Sequence, residues 1–274
     1  MSLPTHPCLT QLVRKRIKIA LTIAGSDSGG GAGLQADLKT FAALGVHGTS
    51  VVTCITAQNP KRVSSVEACS PRIIRAQLEA VFSELPPRAA KAGMLFSAAI
   101  IREVARAFLD QPCPLVVDPV MIATSGAALL RPDAIRALTE KLLPLATLIT
   151  PNVPEAEALL GLRIREPEEL RGAAHTLHER FGCAVLVKGG HLATTSEAID
   201  LFYDGTTELL LSGPRVRGVH THGTGCTYSA AITAALAQGE TLERAVQRAK
   251  DFVTHAIVTS HKAGRHDVLN TLRA

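Results

Sequence analysis

The chain has no tryptophan, and aromatic residues make up 3% of its 274 positions. So few flat side chains leave no stacking platform for single-stranded nucleic acid. Long apolar stretches are missing as well. No run reaches the roughly 18 residues that a membrane-spanning helix needs. The start, "MSLPTHPCLTQLVRKRIK", lacks a basic stretch followed by an apolar one, so no secretory signal is expected. The six cysteines, at 8, 54, 69, 113, 183 and 226, form no Cys-x-x-Cys pair and no zinc-ligand spacing with histidine. Reduced thiols in a cytoplasmic protein are the economical expectation. Two nucleotide signatures are also absent. No Gly-x-x-x-x-Gly-Lys-Ser/Thr occurs, which excludes a P-loop. "GAGLQA" at 31–36 has the outline of a dinucleotide fingerprint, which wants an acidic residue roughly 20 positions on. After Asp37 the next acidic residue is Glu67, so a dehydrogenase is disfavoured.

Apolar residues are plentiful. They make up 46% of the chain and support a sizeable core. The net charge of +5 is mild and partly local to Arg14–Lys18, which suits an anionic small ligand better than a polyanion. Short β-branched runs ("IKIALTIA", "TSVVTCIT", "PLVVD", "ATLIT", "CAVLVKGG") alternate with segments of helical period. Ile74, Leu78, Val81 and Leu85 share one helical face, as do Ile100, Ile101, Val104 and Phe108, then Leu170, Ala174 and Leu177. A last helix carries Leu242, Val246, Ala249, Phe252, Val253 and Ile257. Apolar strands between helices predict a mainly parallel, doubly wound α/β sheet. Residues 197–213 differ: two strands around Asp204-Gly205 predict an antiparallel edge hairpin. The chain reads as a flexible tail over 1–16 followed by one domain over 17–274.

Open α/β sheets bind ligands beyond the carboxyl ends of their strands. In this chain those ends carry polar groups in series. The first is followed by "AGSDSGGGAG", the second by Gln58 and Asn59, and later ones by Met94, Asp118, Asn152 with Glu155, and Lys188. Each has a plain alternative. The glycines can form a tight strand-to-helix turn, or admit a ligand close to the backbone. Asp118 can be a turn residue, Asn152 and Glu155 can cap a helix, and Lys188 can be exposed. Gly223, Thr224 and Gly225 precede an alanine-rich helix whose bare N–H groups would form an anion site, with Thr224 also available as a cap. Cys226 in the first turn is then placed for a lowered thiol pKa and a role as general base. The other cysteines fit as small packing residues.

In order along the chain, "TIAGSDSGGGAGLQADLKTF", "TAQN", "KAGML", "VVDPVM", "ITPNVPEAEAL", "VLVKGGHL" and "HGTGCTYSAAI" resemble the hydroxymethylpyrimidine/phosphomethylpyrimidine kinases of thiamine biosynthesis, within the ribokinase-like fold. The resemblance implies an ATP-dependent kinase that phosphorylates 4-amino-5-hydroxymethyl-2-methylpyrimidine and then its monophosphate, with Mg2+ accompanying ATP. It implies substrate contacts from Gly25, Asp27, Gly31, Ala32, Gln58, Met94 and Val120. It implies nucleotide contacts from Asn152, Lys188, Thr221 and Gly225, and magnesium ligation by Asp118 and Glu155. Gly223, Thr224, Gly225 and Cys226 correspond to the anion hole and base. A homodimer acting on small molecules, without nucleic acid or membrane, is expected. Thr124 and Ala127 depart from the family pattern, as does the C-terminus, and none receives a role. A pyridoxal kinase of the same fold is the nearest alternative. A non-catalytic pyrimidine-binding module is a remote one.

Overall fold

The computed structural model describes residues 16–109, 113–121, 130–190, 192, 197–216, 218–219 and 222–272. Except for Arg16, the expected tail lies outside them. The strands are β1 (Ile19–Asp27), β2 (His47–Asn59), β3 (Arg62–Ala68), β4 (Ala89–Ala92), β5 (Leu115–Val117), β6 (Leu148–Ile149), β7 (Ala184–Lys188), β8 (Asp200–Tyr203) and β9 (Glu208–Leu211). They form one sheet in the order β3-β2-β1-β4-β5-β6-β7-β8-β9. The six strands from β2 to β7 in that order run parallel, and antiparallel pairs close both edges.

The central strands are short and apolar because both faces are covered. Val117, Ile149, Val185 and Val187 enter one core, against α3 (Ala98–Leu109), α5 (Val153–Leu160) and α6 (Pro167–Phe181). Val116, Leu148 and Leu186 point the other way, toward α7 (Thr224–Gln238) and α8 (Leu242–Val258). The period of two along each strand separates these layers. Helix α7 is buried almost all round. Its alanines let it lie close to α1 (Gly33–Ala43), α8 and strands β1, β4 and β5 at once.

From β1 the chain turns to β2 on one side, then returns through α2 (Pro71–Glu84) to β4 on the other. The carboxyl ends of β1 and β4 therefore mark a topological switch point, the place at which open α/β sheets bind ligands. Ser70 caps α2 by accepting from Ile73 N, and Pro71 fixes its first turn. Helix α6 stops at Gly182, which adopts φ +69.

The hairpin expected at residues 197–213 is β8–β9. Its turn is made by Gly205 at φ +97 and by Asp204 Oδ1, which accepts from Thr206 N and Thr207 N. Three expectations change. Strand β2 runs on through Gln58 to Asn59 and folds back as β3, because Ser28 Oγ both donates to Gln58 O and accepts from Gln58 N at 2.7 Å. Leu85 ends α2 as a 40% exposed cap residue and leaves the helix's core face to Ile74 and Leu78. The run "ATLIT" contributes only Leu148–Ile149 as strand. Beyond α8, His261–Ala263 and His266–Val268 pair as a small antiparallel sheet, for which no expectation was formed.

Candidate active site

The loop after β1 is organised by its own aspartate. Asp27 is 2% exposed, and its carboxylate accepts from Gly29 N at 2.8 Å, Gly31 N at 3.1 Å and Ala32 N at 2.8 Å. Burial raises its pKa, but hydrogen bonds from His222, Ala32 and Gly29 outweigh that, and the carboxyl stays below its ordinary value. The glycines of this stretch answer to protein neighbours. A Cβ on Gly25 would meet Cys54 Sγ at 2.6 Å, and one on Gly33, at φ +56, would meet Gly25 O at 2.3 Å. At Gly25 and Gly33, close packing within the protein is by itself a sufficient reason for glycine.

At the far side of the loop, Gly223 adopts φ +89, and a Cβ there would lie 1.8 Å from Gly31 O. The loop after β1 and the loop before α7 thus touch backbone to backbone. His222 seals the contact. Its Nε2 is 3.0 Å from Asp27 Oδ2 and 2.9 Å from the Gln58 amide. Gln58 also meets Thr56 Oγ1 at 3.2 Å. Met94, at the end of β4, is buried; its carbonyl accepts from Gly25 N at 3.1 Å and from Thr53 Oγ1 at 2.7 Å.

A second group gathers at the ends of β5, β6 and β7. Asp118 is 3% exposed and accepts from Lys188 Nζ at 2.8 Å, Thr150 Oγ1 at 3.3 Å and Ser229 Oγ at 3.3 Å. Burial works against its charge, yet Lys188 and Lys91 hold its pKa below the usual carboxylate value. Lys188 is raised: burial lowers it, while Asp118 and Glu155 prevail. Asn152 and Glu155 form a capping box on α5. Asn152 Oδ1 accepts from Glu155 N at 2.9 Å, and Glu155 Oε2 accepts from Asn152 N at 3.0 Å. The other carboxylate oxygen of Glu155 takes Met121 N at 3.2 Å. Burial pushes the Glu155 pKa up to about 7. Val120 beside this group has φ +37, a strained conformation for a β-branched residue.

Helix α7 brings its first turn to this group. A Cβ on Gly225 would be 3.2 Å from Lys188 Nζ and 3.5 Å from Asp118 Oδ2. The opening N–H groups of Thr224, Gly225 and Cys226 precede any intrahelical acceptor. Cys226 departs from expectation. Its thiol is pushed up to about 11 by burial, which outweighs Lys91 and the N–H of Gly33, so it is not ionised at neutral pH. The helix N-terminus alone does not make a thiolate here.

The sequence reading passed over Lys91, Asp37, His222, Ser229 and Thr150. The first two had a visible signal: Lys91 is the one charge in the apolar strand "AAKA", whose four residues are all buried. Its Nζ lies 2.5 Å from Asp37 Oδ1 and 3.5 Å from Cys226 O, while Thr22 Oγ1 donates to Asp37 Oδ2 at 2.6 Å. His222 and Ser229 had none, since only the fold brings α7 to the strand ends. Thr221, Thr124 and Ala127 lie outside the described residues.

The family model of phosphomethylpyrimidine kinase matches residues 27–270. The chain belongs to the phosphomethylpyrimidine kinase family. A hydroxymethylpyrimidine/phosphomethylpyrimidine kinase of Rhizobium meliloti is 53% identical over 240 residues, covering 87% of this chain and 90% of that relative. The chain spans only about half (52%) of a bifunctional thiamine biosynthesis protein of Geobacter sulfurreducens, to which it is 46% identical over 256 residues, 93% of its own length. Its fold matches the ADP complex of Bacillus subtilis pyridoxal kinase with a TM-score of 0.87 at 38% identity, covering 93% of this chain and 98% of that one. It also matches a phosphomethylpyrimidine kinase from Clostridium difficile with a TM-score of 0.78 at 44% identity, covering 88% and 100%. The architecture is ribokinase-like.

Proposed function

We propose that the chain is a phosphotransferase that moves the γ-phosphoryl group of ATP to the hydroxyl of 4-amino-5-hydroxymethyl-2-methylpyrimidine, and then another to the monophosphate, in thiamine biosynthesis. The observation that carries this is the first turn of α7 set against Lys188 and Asp118, with the preceding Gly223 and His222 against the Asp27–Ala32 loop and Gln58. N–H groups at the start of a helix and a lysine stabilise charge on a transferring phosphoryl group. The pyrimidine lies on the side of Gly25, Asp27, Gly31, Ala32, Gln58, Met94 and Val120. ATP is assigned to the side of Asn152, Lys188 and Gly225; Thr221, outside the described residues, is assigned to it from the family resemblance alone.

Magnesium fits as a companion of the nucleotide. Among the described residues no cluster of three His, Cys, Asp or Glu could cage it. Asp118 is paired with Lys188, and both oxygens of Glu155 take backbone N–H groups. Magnesium commonly keeps several waters and binds through one or two carboxylates plus substrate phosphates. Asp118 and Glu155 suit that role, and bound Mg2+ would supply charge neutralisation at the phosphates. Cys226 is assigned the hydroxyl proton, which it accepts as thiolate. At neutral pH that is a small fraction, so the anion hole carries most of the stabilisation. We assign the protein to the cytoplasm as a homodimer on the family resemblance alone.

Incubation with Mg-ATP and the hydroxymethylpyrimidine should give mono- and then diphosphate by mass spectrometry. Only monophosphate after prolonged reaction would assign the second step elsewhere. The close fold match to a pyridoxal kinase makes pyridoxal the competing substrate. A higher kcat/KM for pyridoxal would replace the pyrimidine as the main substrate.

A further inference from the structure

A buried ion pair lies directly behind Lys188 in the sheet. Asp200 opens β8 opposite Lys188, the last residue of β7. Lys250 Nζ is 2.7 Å from Asp200 Oδ2, and the two side chains are 7% and 5% exposed. Lys250 is the one charged residue among those that α8 buries. Its Nζ also donates to Ala198 O at 2.8 Å. The second oxygen of Asp200, Oδ1, accepts from Gly189 N at 3.0 Å. Gly189 follows Lys188 and is itself buried. Strand β8 passes it as closely as glycine allows, since a Cβ there would lie 2.2 Å from Ile199 O. On the other side of β7, Lys188 N donates to Pro151 O at 2.8 Å.

A buried ion pair can often be replaced by apolar side chains of similar volume with no loss of stability, so the packing of α8 on the sheet does not call for charge here. What apolar side chains cannot supply is an acceptor for the buried Gly189 N–H. We infer that Asp200, held in place by Lys250, is a positioning residue that fixes the turn after β7 through Gly189 N and thereby sets Lys188 between Asp118 and the first turn of α7. Lys188 Nζ lies 2.8 Å from Asp118 Oδ1, and a Cβ on Gly225 would be 3.2 Å from it. A shift of the Lys188 backbone changes both distances at once. Neither Asp200 nor Lys250 is given a contact with a ligand. The inference rests on the function proposed above, which assigns Lys188 to the nucleotide. It deepens that reading by placing control of the nucleotide half of the site in α8, an element with no ligand contact of its own.

The test is calorimetric titration of the full chain with ADP, together with KM values for ATP and the pyrimidine and a thermal melt of each variant. Two double variants both remove the ion pair: Asp200→Leu with Lys250→Met, and Asp200→Asn with Lys250→Met. They differ in that the asparagine oxygen can still accept from Gly189 N. The leucine double variant should bind ADP about tenfold more weakly, as expected when a buried donor loses its acceptor, with a matching rise in KM for ATP. Its KM for the pyrimidine should hold. The asparagine double variant should keep wild-type values for all three. If the leucine chain does not fold, Asp200→Ala with Lys250→Met makes the same comparison without added bulk. Equal ADP affinity in the two double variants, whether both strong or both weak, overturns the inference alone. A wild-type chain that neither binds ADP nor consumes Mg-ATP overturns the proposed function and this inference with it.

Discussion

Lys91 and Asp37 form an ion pair in which both side chains are fully shielded from water, with Nζ 2.5 Å from Oδ1. The pair sits beneath the first turn of α7, and Lys91 also reaches Cys226 O. Removing one partner leaves a buried charge without a counter-charge, which typically costs about 3–5 kcal/mol. Lys91→Met and Asp37→Asn should each lose stability on that scale in urea unfolding. The double variant should lose less than the two together. Strict additivity would mean that the pair does not act as a unit.

Glu155 gives a prediction about pH and magnesium. Its folded pKa is raised to about 7 by burial, against an ordinary value of 4.5. A raised carboxyl favours the protonated folded state, so its contribution to stability is present at low pH and is lost as pH rises from about 4.5 to 7. Ligation needs the ionised form. The magnesium required for half-maximal velocity should therefore rise as pH falls below about 7. In Glu155→Gln the requirement should be higher and flat across that range. A parallel pH dependence in variant and wild type would remove Glu155 from the metal site.

Cys226 bears on the chemistry. With its thiol pushed up to about 11, alkylation by iodoacetamide should keep rising through pH 9 without a plateau, followed by mass of the labelled peptide. The sign for stability is downward: above the ordinary thiol value the unfolded chain ionises first, and folding weakens toward pH 11. Cys226→Ala should lower kcat about a hundredfold, the lower end for loss of a general base, because the α7 N–H groups remain. Wild-type kcat in that variant would make Cys226 a packing residue.

Gly223 and Gly225 stand at the start of one helix in different surroundings. Gly223→Ala would place a Cβ 1.8 Å from Gly31 O at φ +89, so the loop must open, and both Tm and activity should fall. Gly225→Ala would bring a Cβ to 3.2 Å from Lys188 Nζ and 3.5 Å from Asp118 Oδ2, side-chain atoms at ordinary or slightly tight distances, with a backbone conformation that alanine adopts. Its Tm should hold while KM for ATP rises. Equal Tm losses in a thermal melt would contradict the different surroundings of the two residues.

The parallel sheet was legible because its strands are bounded apolar runs, and the hairpin at Asp204-Gly205 because its turn chemistry is local. Asn152 and Glu155 were legible as a pair because capping works over three residues. The return of β2 into β3 was not, since Gln58 is held there by Ser28 of the loop after β1, thirty residues away. The thiol of Cys226 was misjudged for a related reason. The helix terminus can be read from "HGTGC", but the burial that dominates it comes from α1 and β4, distant in the chain. His222 escaped notice because its partners, Asp27 and Gln58, belong to the opposite end of the chain.

The seam between Gly31 and Gly223 joins the first crossover of the fold to its penultimate helix. Contacts of such high sequence separation form late, after the loop-closure entropy between them has been met. A nascent chain that has emerged only through β9 already holds every strand of the main sheet, yet it has neither His222 nor the first turn of α7. On the site assignment proposed above, catalytic competence arrives with the last quarter of the chain, and an incompletely synthesised molecule has the scaffold without the first turn of α7.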